Sequence, residues 1–223
     1  GRTEIAKLIL DLSKENDTVD LNDRINNVGW TGRTPFHLAC QEGNTEIVKM
    51  ILDFSQENDA IHLITTISYG MTAFHMTCHR DNPKTVKLFL DFSQESDAID
   101  LDARFHNGKT AFLQACEKGC SETVKLLLDF SKENDAIDLN ARDDSGRTAF
   151  HLACEYGRTE IAKVILDLAK ENDAIDLNAR INHEYRRNGW TPFHVACVEG
   201  NTDIVKLILD FSQENDAIGN VQH

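Results

Sequence analysis

Apolar residues along this chain recur in a helical rhythm, interrupted by short polar turns, and the same rhythm returns several times. In Thr123-Val124-Lys125-Leu126-Leu127-Leu128-Asp129-Phe130, positions 124, 127 and 128 share one helix face, and 126 and 130 widen it. A shorter helix is predicted from Thr148 to about Tyr156. It starts on a threonine suited to N-capping and continues with Phe150, Leu152, Ala153 and Cys154. Proline follows the equivalent threonine at Pro35 and Pro192, the first helical position, where its missing N–H costs nothing. Glycine closes the short helix at Gly43, Gly119, Gly157 and Gly200, as a left-handed terminal turn favours. Asp81 holds that place in one copy and is expected to strain the turn. A second helix follows at once, with Pro83 standing where Thr45 and Thr159 stand. An acidic stretch such as DFSKENDAID and a turn-rich link, Leu139 to Gly146, then lead to the next copy.

The copies keep strict phase. Thr34, Thr72, Thr110, Thr148 and Thr191 are separated by 38, 38, 38 and 43 residues, and Cys40, Cys78, Cys116, Cys154 and Cys197 keep the same intervals. Arg2–Asn22 and Arg158–Asn178 differ at only 4 of 21 positions, which aligns Gly1 with Gly157 in mid-unit. The chain is therefore read as one array: a partial repeat at 1–33 (second helix and hairpin only), then 34–71, 72–109, 110–147, 148–190 and a terminal repeat at 191–223. Starting halfway through a unit, it is expected to be a piece of a longer array.

These residues resemble the ankyrin repeat. The family pattern T-P-L-H-x-A is matched by Thr34-Pro35-Phe36-His37-Leu38-Ala39 and Thr191-Pro192-Phe193-His194-Val195-Ala196. Looser copies start at Thr72 and Thr148, and the copy at Thr110 carries Leu113 in place of histidine. The resemblance spans essentially the whole chain and implies an all-α fold, an ankyrin-type helix-turn-helix solenoid with hairpin-like connecting loops. The unit is about five residues longer than the family's 33. The surplus falls in the acidic stretch, where a longer second helix or a bulged outer loop is expected. The leucine-to-threonine distance is 9 in three links but 13 from Leu21 to Thr34 and 14 from Leu177 to Thr191, so those two hairpins carry insertions.

The resemblance also implies where a partner would bind: on the concave face, with hairpin tips and the exposed side of the first helix. Carried onto this sequence, the hairpin positions are Trp30 and Arg33, then Tyr69 and Met71, then Arg104, His106 and Lys109. Arg142 and Arg147 follow, and then Tyr185, Arg186, Arg187 and Trp190. On the first helices the matching places include His79, Arg80 and Tyr156. This set varies from copy to copy while the framework does not, and it is rich in Arg, Trp and Tyr, the residues most often found at binding hot spots. The inserted segment Ile181 to Arg187 is the expected specificity element.

Charge and candidate chemistry change this picture little. The net charge of −14 disfavours nucleic acid as a partner, and no apolar run reaches the roughly 18–20 residues that would span a membrane. The acidic residues, such as Asp129, Glu133, Asp135 and Asp138, concentrate behind the second helix, where they read as a solvated face. His-x-x-Cys recurs at His37/Cys40, His75/Cys78, His151/Cys154 and His194/Cys197, yet zinc needs about four converging ligands and stacked helices lie about 8–10 Å apart. The histidine is expected to bond loop backbone and the cysteine to fill core. No metal or cofactor is expected.

No serine has a glycine-rich elbow, and neither the phosphate-loop nor the dinucleotide fingerprint occurs, so no enzymatic activity is expected. Five periodic thiols and a spare, Cys120, fit a reducing compartment, and the expected location is the cytoplasm, with the nucleus as a lesser alternative. The expected function is a protein–protein interaction module. Two alternatives stay open at this stage: a structural or self-assembling segment, associating end to end through uncapped termini that keep Ile204, Val205, Ile208 and Leu209, or the targeting region of a larger protein whose catalytic domain lies outside this chain.

Overall fold

The computed structural model describes residues 4, 7, 22, 32–57, 63, 65–171, 175–182 and 187–219. They fall into two compact units, one ending at His106 and the other beginning at Asn107. The expected partial repeat at 1–33 lies almost wholly outside the described residues. Unit 1 holds α1 (Pro35–Gln41), α2 (Thr45–Glu57), α3 (Ala73–His79) and α4 (Pro83–Glu95). Unit 2 holds α5 (Ala111–Lys118), α6 (Ser121–Asn134), α7 (Ala149–Glu155), α8 (Thr159–Glu171), α9 (Pro192–Glu199) and α10 (Thr202–Gly219). No extended strand occurs among the described residues, only isolated bridges at hairpins.

Within each unit, a short first helix packs on its own second helix and on the first helix of the next repeat; α1 on α3, α5 on α7 and α7 on α9 are the stacked first helices. Second helices stack likewise, α2 on α4, α6 on α8 and α8 on α10. The all-α helix-turn-helix repeat expected from the sequence is the fold of both units.

The first helices begin on a reciprocal cap. The Thr34, Thr72 and Thr110 hydroxyls accept the backbone N–H three residues on, at 3.5, 3.4 and 3.3 Å. Where that third residue is histidine, its Nδ1 accepts the threonine N–H in return, at 3.4 Å for His37 and 3.3 Å for His75, His151 and His194. This is a capping box with histidine in the usual glutamate position, and an N-cap of this kind stabilises by about 1 kcal/mol. With Nδ1 an acceptor, Nε2 carries the proton and donates onward to loop backbone: His37 to the Thr65 carbonyl and His151 to the Trp190 carbonyl, both at 3.1 Å. Each such ring ties a helix start to the hairpin that follows, which is the backbone-bonding role expected of these histidines.

At the other end of the helix the chain turns left-handed. Gly43 and Gly119 do so at φ 67° and 86°, and Asp81 is forced to φ 50° in the same place. Side chains from the following repeat satisfy the orphaned carbonyls there: Asn82 Nδ2 donates to Gly43 O at 3.3 Å and Arg158 Nε to Glu117 O at 2.9 Å.

The core is one layer repeated. Cys40, Cys78, Cys116 and Cys154 are fully buried beside Phe36, Phe74, Phe112 and Phe150. Phe89 on α4 sits against both Phe36 and Phe74, with ring centroids 5.7 and 5.4 Å away. Val48, Val86 and Val124 line the matching face of the second helices. The surplus residues in each unit resolve first as added helix: α6 runs to Asn134, and Asp135 turns left-handed at φ 49°. Ser55 and Ser93, recurrent in this stretch, donate to the carbonyls of Leu52 and Leu90 at 2.7 and 2.8 Å, so their hydroxyls serve the helix.

Two outcomes are expected. Asp81→Gly should stabilise the protein by about 0.5–1 kcal/mol, read by urea denaturation, because glycine pays no left-handed penalty. Burial, opposed by the bond to the Trp190 carbonyl, pushes the His151 pKa down to about 4. The unfolded chain therefore binds the proton first, and stability falls as pH drops from about 6.5 towards 4, by at most about 3 kcal/mol for this residue. His151→Leu, the residue the chain itself uses at 113, should flatten that acid limb in a pH series of unfolding curves.

Candidate functional site

The hairpins at 67–71 and 143–147 are narrow, with three residues between the bonded pair. Ile67 N–H donates to Met71 O at 2.9 Å and Gly70 N–H to Ile67 O at 3.1 Å; Asp143 and Gly146 repeat the pattern with Arg147 and Asp143 at 3.0 and 2.8 Å. In unit 2, neighbouring hairpins also bond each other, through Asp144 N–H to Asn107 O at 2.9 Å. Arg142 reinforces this by donating to the carbonyls of Gly146, at 3.2 Å, and Arg180, at 2.8 Å. Arg142, expected as a contact residue, thus spends its guanidinium on loop backbone.

At three hairpins a latch joins the hairpin to the first helix that follows it. Arg33 Nη1 donates to Gln41 Oε1, and Lys109 Nζ to Glu117 Oε2. Arg147 bonds Glu155 Oε2 through Nη1 at 2.7 Å. Each pair is eight residues apart. Arg147 also reaches the fully buried Asp143 carboxylate through Nε at 2.9 Å and Nη2 at 2.7 Å. Asp143 further accepts the backbone N–H groups of Ser145 and Arg147 at 3.0 and 2.9 Å. Burial pulls the Arg147 pKa down, but Asp143 and Glu155 outweigh it and hold the guanidinium above its ordinary value. Arg187 extends the network, pairing with Glu155 at 3.1 Å and with Glu199, and its guanidinium lies 5.5 Å from the Trp190 ring.

The structure therefore divides the expected contact residues. Lys109, Arg142, Arg147 and Arg187 are held by partners within unit 2. Tyr156 stands exposed next to Glu155, and Trp190 is half-buried under Arg187. In unit 1, Arg33 and Met71 are half-buried, whereas Tyr69, His79, Arg80, Arg104 and His106 are exposed. Trp30, Tyr185 and Arg186 lie outside the described residues, as does most of the inserted segment 181–187.

The His-x-x-Cys motifs do not gather. His75 is buried with its ring centroid 4.6 Å from that of Phe105, Cys78 is buried, and His79 is exposed. Among the described residues, no group of three or more His, Cys, Asp or Glu could hold a metal. Three of the buried thiols are poor nucleophiles: burial pushes Cys40 up to about 12 and raises Cys116 and Cys154 further. A polar cleft of about 140 Å³ lies behind unit 2, bounded by Ser131, Asp135, Asp138 and Asn140. No described helix is long and apolar enough to cross a membrane.

A family model described as ankyrin repeats (3 copies) matches residues 1–100, 56–138, 74–180 and 135–220. No curated protein matches the chain significantly.

The latch is testable by stability. Arg147→Ala leaves the buried Asp143 carboxylate without its counter-charge and should cost about 3 kcal/mol. Glu155→Gln keeps an acceptor for Arg147 and leaves Asp143 as its counter-charge, so it should cost less, about 1 kcal/mol. Urea denaturation of the two variants measures the difference.

Proposed function

Because the chain belongs to the ankyrin repeat family, whose members are in general protein-binding modules and typically not catalysts, we propose that it binds a protein partner through its hairpin tips and the exposed side of its first helices. One observation carries this reading. The Thr, Phe, His, Ala and Cys positions of the first helices repeat and are largely buried, while the two adjoining positions, half-buried or exposed, form a different pair in each copy: Gln41-Glu42, His79-Arg80, Glu117-Lys118, Glu155-Tyr156 and Val198-Glu199. A frame held constant with an edge free to vary is how repeat proteins acquire specificity. Catalysis forms no part of this reading: Cys40, Cys78, Cys116 and Cys154 fill core, His37, His75, His151 and His194 cap helices, and Ser55 and Ser93 bond helix carbonyls. Net charge argues against nucleic acid, and the free thiols support a reducing, cytoplasmic setting.

Joint substitution of Tyr156, Arg187 and Trp190 by alanine should cut retention of a cross-linked partner by at least about tenfold. Matched alanines at Lys163, Asp167 and Asp210 on the second helices should leave retention unchanged. Equal losses from both sets would refute the placement.

A second reading, end-to-end self-association, is supported by the last described repeat. Leu209 is 47% exposed, while its counterparts Leu52, Leu90, Leu128 and Leu166 are all at 4% or below. Light scattering should show a concentration-dependent rise in mass that Leu209→Glu removes; a monomer at all concentrations would dismiss it.

A further inference from the structure

Two repeats of this chain have nearly the same sequence in different surroundings. Residues 34–61 and 191–218 differ at only 4 of 28 positions, where Leu38, Gln41, Glu46 and Met50 give way to Val195, Val198, Asp203 and Leu207. In unit 1 the first copy is covered by the repeat that follows it; no described repeat follows the second. Burial separates the copies accordingly. Phe36, Cys40, Val48 and Leu52 are at most 3% exposed. Their counterparts Phe193 and Val205 are only half-buried, Cys197 is exposed, and Leu209 is 47% exposed. A methyl group on Gly43 would strike Asn82 Nδ2 at 2.6 Å, whereas one on Gly200 would meet nothing within 4 Å. The last repeat thus keeps, uncovered, the face that its twin buries.

What covers the twin is specific. Asn82, Thr85 and Phe89 lie three and four residues apart, on one side of α4 and its cap. Asn82 Nδ2 donates to Gly43 O at 3.3 Å, the Thr85 and Thr45 hydroxyls bond each other at 2.8 Å, and the Phe89 ring centroid lies 5.7 Å from that of Phe36. The receiving groups recur on the last repeat as Gly200, Thr202 and Phe193. The covering groups are rarer. Their places hold Arg158, Ile161 and Ile165 in the repeat before the last, and no other repeat of the chain combines Asn, Thr and Phe there. Nor is the last repeat built as a polar cap, which a repeat facing solvent requires. None of its four exchanges adds a polar group, and Gln41 becomes Val198, which is 63% exposed.

We infer that the uncovered face of the last repeat is a second interaction surface, apart from the hairpin edge. Its occupant is a helix-turn-helix repeat of a partner protein whose second helix carries Asn-x-x-Thr-x-x-x-Phe. The asparagine amide answers the turn at Gly200, the threonine hydroxyl answers Thr202, and the phenylalanine ring covers Phe193. Burial of Val205 and Leu209 beneath that helix supplies the apolar contact by which stacked repeats hold each other. The two hydroxyl and amide contacts set register and select the occupant, since a helix with isoleucine at both later places meets Thr202 with no hydrogen-bonding group. Self-association through Leu209 would use the same face, so the two occupants exclude each other.

An isolated repeat does not fold by itself, so the probe is the full chain with residues 62–109 copied after Ile218. The tethered repeat stands in for the partner at high effective concentration. In dilute solution a maleimide, read by peptide mass spectrometry, should label Cys197 at least about tenfold more slowly than in the unextended chain. Leu209→Glu in the extended chain should restore the rate. A second extension changes the copied Asn82, Thr85 and Phe89 to Arg, Ile and Ile, a set the chain already uses in a folded repeat. It should protect Cys197 at least about threefold less. Labelling at the unextended rate, or equal protection by both extensions, would overturn the assignment. Light scattering separates the two occupants, because the mass of the first extended chain should no longer depend on Leu209. If Leu209→Glu still removes a rise in mass there, self-association stands and the docking site fails.

Discussion

A helix of seven or eight residues cannot sustain itself in water, so every first helix here exists because neighbouring pairs cover its apolar face. Nearest-neighbour burial explains why the Phe, Ala and Cys positions hardly vary, and why Phe89 sits between the rings of two successive repeats. It also explains the histidine. A neutral ring that accepts from its own threonine and donates to the following hairpin carbonyl couples a local cap to an inter-repeat contact. Few side chains have one acceptor and one donor at the right separation. The third repeat gives up that coupling, placing the fully buried Leu113 where the others have histidine.

That framework was largely legible in the sequence because its determinants are local. Threonine as N-cap, proline at the first turn, glycine in the left-handed terminal turn and periodic cysteine as core all follow from spacing within one helix, and the structure places them so. The candidate surface was legible only in part. Arg147–Glu155 and Lys109–Glu117 lie eight residues apart, a spacing with no meaning along a single helix. It acquires one only when the hairpin folds back beside the helix start. Lys109 and Arg147, expected as contact residues, are thereby tied to their own first helices. The spacing itself, repeated as Arg33/Gln41, Lys109/Glu117 and Arg147/Glu155, was the available signal. Nor does spacing reveal that Arg142 is consumed by loop carbonyls, or that Tyr69 stands in a left-handed turn.

The same geometry separates two uses of an arginine-rich edge. Where a carboxylate occupies the latch position, the cation stiffens a hairpin and contributes to folding; Arg147 over the buried Asp143 is the clearest case. In unit 1 the latch position holds an amide, Gln41, which accepts from Arg33, and an imidazole, His79. The latch position is thus one place per repeat at which an edge residue can be tied to the frame. That economy suits a repeat protein, in which the frame must be copied intact while the edge diversifies.

The measurement that bears most directly on this account is a saturation substitution scan of residues 65–219 scored twice, once for folded abundance and once for partner binding. The account predicts two separate maps. Thr, Phe, His, Ala and Cys positions of the first helices should govern abundance in every repeat, while Tyr69, Arg80, Arg104 and Tyr156 should govern binding and tolerate change for folding. If the two maps coincide, so that binding is lost only where the fold is lost, the division between a constant frame and a recognising edge is wrong.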